Sequence, residues 1–466
     1  MTAGAIETGT PTGRAVIAAA TLGSGMALLD GTVVNVALRT LGEDLGASLA
    51  QLQWIVNGYL LTLASLILLG GALGDRFGRR RVFELGVAGF ALASIGCGLA
   101  PNPEVLIGAR LVQGVAAALL TPGSLALIQG AFAPASRARA IGAWSGLGSI
   151  AAAAGPLLGG LLIDYVSWRW IFLVNVPLAL VTLAISHRHV PESRDPEAGR
   201  LDPAGAVLGA LALAAITYAL IEWHASAAPW IGVAGVVAAV AFVAVERRLH
   251  APMLPTGLFA DRVFSAANAM TLLVYAALGA VLFFLVLQLQ TVTGYGALAA
   301  GLATLPITVC MVLLAAKGGE LAQRIGPRIP MALGPVVMAV GVLWLSLVGD
   351  ATSYWLTTGP ALTVFGLGLA LMVAPLTATV LAAAPDRHAG IASGVNNAVA
   401  RAGSLLAVAA LPVLVGLSGE EYADPRALDS AYSTSLLICA GLLALGGLVS
   451  WLLIPPGRLT DATISR

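Results

Sequence analysis

Charge is what this chain has least of. Only 10% of its 466 residues are Asp, Glu, Lys or Arg, against roughly 25% in a soluble domain, and the formal net charge is +1. A balance so small says nothing about nucleic acid, but no basic stripe exists outside the loops, so no nucleic-acid partner is expected. Cysteine is scarce too: Cys97, Cys310 and Cys439 are scattered, each inside an apolar run. Such thiols build neither a disulfide framework nor a metal site and read as small packing residues. The five histidines, His187, His189, His224, His250 and His388, all fall in loops or at the ends of apolar runs. The sequence offers no catalytic triad, metal cluster or phosphate-cradling loop. No catalytic residue, metal ligand or cofactor is therefore expected, and the chain does not read as an enzyme.

What fills the chain instead is apolar. Hydrophobic residues make up 58% of it, in fourteen segments between residues 15 and 454. About 20 apolar residues span the roughly 30 Å hydrocarbon core of a bilayer. Lipid satisfies no free backbone group, so each segment must be a helix. The fold class is thus an all-α polytopic membrane protein with the lipid bilayer as its surroundings. The seventh and eighth segments, 203–222 and 228–246, also admit a reading as one re-entrant pair. The 55 glycines and 24 prolines suit close helix contacts and bent spans. Met1 to Thr12 has no basic cluster, so it makes a poor signal peptide and the first span is expected to stay. Of the 24 basic residues, 19 fall on the side that holds the termini, which places both termini in the cytoplasm.

The chain repeats itself. Gly71, Leu73, Arg76, Gly78 and Arg80, in the loop after the second span, match Gly319, Leu321, Arg324, Gly326 and Arg328 after the tenth at one constant offset. Two six-helix halves in the same orientation, with two helices inserted between them, explain that match. The expected parts are an N-terminal half 1–186, a linker with the inserted pair 187–263, and a C-terminal half with a short tail 264–466. Parallel repeats of this kind are a transporter architecture, with the substrate site near the midplane between the halves.

The few charges inside spans mark where function should lie. Asp30 stands in span one with Gly23, Met26, Ala27 and Val34 around it. It either loads and releases a proton or forms a permanent ion pair that orders the helices. Arg110 in span four lies at a similar depth, about 8 Å below the outer end of its span against about 12 Å for Asp30. The two can bond directly or through Gln113, one turn on. In the loop Gly71–Arg80, the glycines permit a tight turn. Asp75, flanked by Arg76, Arg79 and Arg80, can pair with an arginine or a helix N-terminus; the basic run alone could serve only to set topology. Gly155-Pro156-Leu-Leu-Gly159-Gly160 joins a helix bend to a Gly-x-x-x-Gly face. Arg401, one turn after Asn397, either fastens helix ends or contacts substrate. Asn57, Tyr59, Trp144, Tyr275, Phe283, Gln288, Asn396 and Asn397 are candidates to line a cavity. Glu222, beside Trp223, reads as interfacial.

These motifs resemble a known family. Gly71–Arg80 is similar to the loop signature of the major facilitator superfamily. Leu29–Leu38, Arg110–Gly114, Ser167–Pro177 and Ser393–Arg401 resemble signatures of its fourteen-helix drug:proton antiporters, in a branch that includes actinobacterial antibiotic-resistance exporters. Gly142, Gly155, Pro156, Gly159 and Gly160 resemble that family's fifth-helix antiporter motif. Ala151 stands where the motif has a glycine, and Arg39 where the first-helix signature has proline. The resemblance implies a major-facilitator fold of two six-helix bundles plus two inserted helices. It also implies a monomer in the bacterial cytoplasmic membrane that exchanges protons for hydrophobic or amphipathic small molecules. Proton coupling would fall to Asp30, Arg110 and Gln113, gating to the Asp75 loop, and tight packing of span five against the other half to the glycine motif. With no nucleotide-binding domain, an ion gradient would drive transport. An uptake symporter or facilitator for a small nutrient, and a non-transporting sensor or lipid-handling scaffold, are the alternatives.

Overall fold

The computed structural model describes residues 6–195, 201–249, 252–350, 352–385 and 388–457. The linker segment 196–200 and the tail from 458 lie outside the described residues. Within them the chain is helical, with no strand beyond one isolated bridge between Ile6 and Phe132. Thirteen helices of the described residues are long and apolar enough to cross a membrane. The remaining expected span, 138–164, falls in the 32-residue helix Pro134–Tyr165. The protein is a multi-pass membrane protein.

The chain divides into two compact units, residues 1–216 with 230–253 and residues 217–229 with 254–466. The first holds α1 (Pro11–Leu45), α2 (Leu49–Phe77), α3 (Arg79–Gly98), α4 (Pro103–Ala131), α5 (Pro134–Tyr165), α6 (Trp170–Leu173) and α7 (Asn175–His189). Most of α8 (Pro203–Ile221) and α9 (Ala228–Glu246) groups with it. The second unit holds α10 (Arg262–Thr291), α11 (Ala297–Ala303), α12 (Leu305–Ile325), α13 (Arg328–Leu345), α14 (Gly359–Ala382), α15 (Ala389–Leu414) and α16 (Pro425–Leu453).

Local chemistry sets the helix ends. Thr10 accepts from the Gly13 N–H at the start of α1, ahead of Pro11, and Ser48 forms a reciprocal capping box with Gln51 on α2. Asn102 and Asp261 cap α4 and α10 by accepting from backbone N–H groups of the first turn. Each satisfies donors that a helix leaves without partners in its first turn. Some spans are broken: α6 and α7 meet at Val174, and α11 and α12 meet at Thr304. A π turn, Tyr354–Thr358, leads into α14.

Small residues let backbones touch. A Cβ on Gly70 would lie 2.0 Å from the Ala118 carbonyl oxygen, and one on Gly114 would lie 2.3 Å from the Tyr59 carbonyl. The pairing of α2 with α4 that results brings Ile55 and Tyr59 beside Arg110.

Candidate functional site

The ion pair forms as the direct bond. Arg110 Nη1 donates to Asp30 Oδ2, and Gln113 Nε2 donates to Asp30 Oδ1 at 2.8 Å. Both carboxylate oxygens are therefore satisfied, and Asp30 is 0% exposed. Arg110, 1% exposed, has further partners: its Nε donates to the Ile55 carbonyl at 3.0 Å and Nη1 to Gln113 Oε1 at 2.7 Å. The guanidinium lies 4.4 Å from the Tyr59 ring centroid and 5.8 Å from that of Phe172. Gln113 also donates to Ser94 Oγ at 3.0 Å, and Asn175 Nδ2 reaches the same hydroxyl at 3.4 Å. One polar network thus ties α1, α2, α3, α4 and α7 around a single buried carboxylate.

That arrangement has an asymmetric chemistry. Arginine stays charged, so only Asp30 can take a proton within the pair. If it does, Arg110 keeps the Ile55 carbonyl, the Gln113 oxygen and two ring faces. The cation is held when its anion is neutralised, which lowers the cost of separating a buried pair.

The glycine motif packs inside its own unit. A Cβ on Gly155 would lie 2.1 Å from Thr32 Oγ1, and one on Gly159 would lie 2.3 Å from Val33 Cγ2. That face of α5 therefore lies against α1. Ala151 lies on the same face, its Cβ 3.2 Å from the position of a Cβ on Gly25. A Cβ on Gly142 would meet nothing within 4 Å among the described residues, while Gly160 is buried and Pro156 lies within α5.

Several cavity candidates are buried in this structure. Tyr59, Phe283, Gln288 and Asn57 have 1% or less exposure, so they offer a substrate no surface in this structure. Tyr59 donates to the Ala27 carbonyl at 3.1 Å while its ring lies under Arg110. Phe283 packs edge-on against Phe284. Gln288 donates to the Val348 carbonyl at 2.9 Å and to Asp429. Trp144 is half-buried and donates to Ser24 Oγ at 2.9 Å. Asn396 bonds α10 through Asn268 and Thr271. Tyr275 and Arg401 are half-buried and Asn397 is exposed.

In the loop, Asp75 Oδ1 accepts from Arg79 Nε at 2.9 Å and lies 2.8 Å from its Nη2. Gly78 adopts φ +118°, and a Cβ there would lie 2.8 Å from the Glu192 carboxylate. That carboxylate accepts from the Arg80 and Arg81 backbone N–H groups at 3.1 and 3.2 Å. Arg80 Nη1 donates to the Val190 carbonyl at 3.1 Å. Arg76 is exposed, its guanidinium 5.8 Å from the Phe77 ring centroid, and Gly71 lies against Pro122.

The sequence profile of the Major Facilitator Superfamily matches residues 20–408 and 272–463. The chain belongs to that superfamily. It is 38% identical over 463 residues to the puromycin resistance protein of Streptomyces alboniger, covering 95% of this chain and 91% of that one. It is 35% identical over 465 residues to the methylenomycin A resistance protein of Bacillus subtilis, covering 98% of each. Among solved structures, a bacterial homologue of the human drug peptide transporters PepT1 and PepT2 superposes with a TM-score of 0.69 at 14% identity, over 97% of this chain and 100% of that one.

Within this superfamily fold, sequence reasoning gave no role to Ser94, the Ile55 carbonyl or Glu192, and quoted Asn175 only as part of the Ser167–Pro177 signature. Ser94 and Asn175 carried a usable signal, since each is a polar residue inside an apolar run. Glu192 carried almost none, being one acid in a polar linker. A backbone carbonyl carries none at all.

Proposed function

We propose that this protein is an exporter that exchanges protons for a hydrophobic or amphipathic compound by alternating access. Asp30 carries the proton and Arg110 competes with it for the carboxylate. The observation behind this reading is the buried Asp30–Arg110–Gln113 network, a carboxylate at bilayer depth beside a cation with partners of its own. The likeness to proteins named for resistance to puromycin and methylenomycin A supports an outward direction and an antibiotic-like cargo. The protein would act as a monomer in the bacterial cytoplasmic membrane with both termini in the cytoplasm and the Asp75 loop as a gate, powered by the proton gradient alone.

The test uses an efflux-deficient bacterial host and proteoliposomes. Expression should raise resistance to a set of amphipathic antibiotics, and an imposed proton gradient should drive their movement in vesicles. Asp30→Asn should remove the gradient-driven component while the protein still reaches the membrane in folded form. Undiminished proton-coupled efflux by a well-expressed Asp30→Asn variant would remove Asp30 from the mechanism.

A further inference from the structure

The second unit carries a guanidinium that the proton-coupling network does not use. Arg401 lies 12 residues into α15, about 18 Å along the helix, and Tyr275 lies 13 residues into α10, about 20 Å along. The two helices are locked together on both sides of this level. Asn396 Nδ2 donates to Thr271 Oγ1 at 2.7 Å, Ser404 Oγ donates to the Tyr275 carbonyl at 2.9 Å, and a Cβ on Gly403 would lie 2.7 Å from the Leu272 carbonyl. Along the helix axes Arg401 lies between the levels of those contacts, one turn before the Ser404 that bonds the Tyr275 carbonyl.

Among the described residues, neither the Arg401 side chain nor the Tyr275 hydroxyl has a hydrogen-bond or ion-pair partner, and both side chains are half-buried. The described acids of this unit all lie near helix ends or in loops. Asn397, one turn before Arg401, is exposed, and its amide nitrogen bonds only to the Ser393 carbonyl of its own helix. A guanidinium at bilayer depth does not face lipid without a partner; it faces protein groups or water. A cation and a phenol on two packed helices, at one level and without an acid, are a set of donors awaiting an acceptor. The planar fork of arginine matches a carboxylate with two parallel bonds.

We propose that Arg401 and Tyr275 form a subsite in the second half that binds a carboxylate group on the transported compound. The proposal rests on the export reading for its cargo, but it concerns binding and not the proton. The probes are labelled 2-naphthoate and its neutral counterpart 2-naphthamide, offered to the purified full-length protein in detergent and then in proteoliposomes. Wild type should bind the carboxylate in preference to the amide. Arg401→Gln should weaken naphthoate binding about tenfold or more and leave naphthamide unchanged. Arg401→Lys should retain part of the preference, because the charge stays and the fork is lost. Tyr275→Phe should weaken naphthoate severalfold.

Equal loss of both probes in Arg401→Gln would mean a structural arginine and overturn the subsite. So would a wild type without preference, or without naphthoate binding at all. The export reading fails separately: carboxylate binding that depends on Arg401, with no gradient-driven transport of naphthoate, would leave the subsite standing and overturn export.

Discussion

At the residue scale, the molecule concentrates its charge economy at Asp30. Removing one member of a buried ion pair leaves the other uncompensated, which costs about 3–5 kcal/mol. Arg110→Ala should therefore destabilise the protein by that order, read as a lower unfolding temperature in detergent. Adding Asp30→Asn to Arg110→Ala should recover part of the loss, because the stranded carboxylate is gone. Strictly additive costs in this cycle would show that the two residues are not coupled. Asp30, Arg110 and Gln113 were legible in the sequence because charge and amide groups are rare at bilayer depth, so each stands out. The depth estimate was less secure than its outcome: α1 runs on to Leu45, which puts Asp30 about 22 Å from that end. Counting from the apolar boundary, not from the helix end, brought the two residues level. Tyr59 and Gln288, cavity candidates by composition, are buried here and donate to the Ala27 and Val348 carbonyls. An aromatic or amide in a span satisfies a buried neighbour as readily as a ligand, and composition does not tell those uses apart.

At the scale of elements, the spans were legible because lipid allows only helices, whereas their internal breaks were not. Nothing in the hydropathy of 170–189 marks the turn at Val174 that separates α6 from α7. The glycines show the same limit, since a Gly-x-x-x-Gly face announces close packing without naming the partner helix. Here the contacts differ sharply between positions, and that difference is testable. Gly70→Ala sets a methyl against the Ala118 carbonyl, a backbone atom that cannot rotate away. The pair α2 and α4 would have to separate, at a cost of about 1–3 kcal/mol or more. Gly142→Ala meets nothing and should gain up to about 1 kcal/mol in helix propensity, although Gly142 belongs to the antiporter motif. Thermal unfolding of the two variants side by side should separate them in sign. A loss at Gly142→Ala as large as at Gly70→Ala would show that α5 packs there after all.

At the scale of the whole molecule, the sequence repeat returns as a repeated fastening in which the fasteners differ. Gly78 and Gly326 occupy equivalent positions and both adopt positive φ, +118° and +85°. Each admits the segment that follows the last helix of its own six-helix half. Gly78 faces the Glu192 carboxylate, and a Cβ on Gly326 would lie 2.4 Å from the Gly457 carbonyl oxygen. The matched arginines act alike: Arg80 donates to the Val190 carbonyl, and Arg328 Nε donates to the Trp451 carbonyl at 2.8 Å while stacking 4.2 Å from its ring. The first copy adds a carboxylate that caps the start of α3, whereas α13 follows Pro327 with no side-chain cap. Glu192→Ala should therefore strip the acceptor from the Arg80 and Arg81 amides, a loss of about 1 kcal/mol by analogy with helix caps. Hydrogen exchange at those amides should quicken about fivefold, since RT ln 5 is close to that energy. Glu192→Gln should do less, because its one amide oxygen still accepts. Exchange at the start of α13 should not change in either variant. Unaltered exchange at Arg80 and Arg81 in Glu192→Ala, or an equal change at α13, would mean that Glu192 does not hold the linker to the loop.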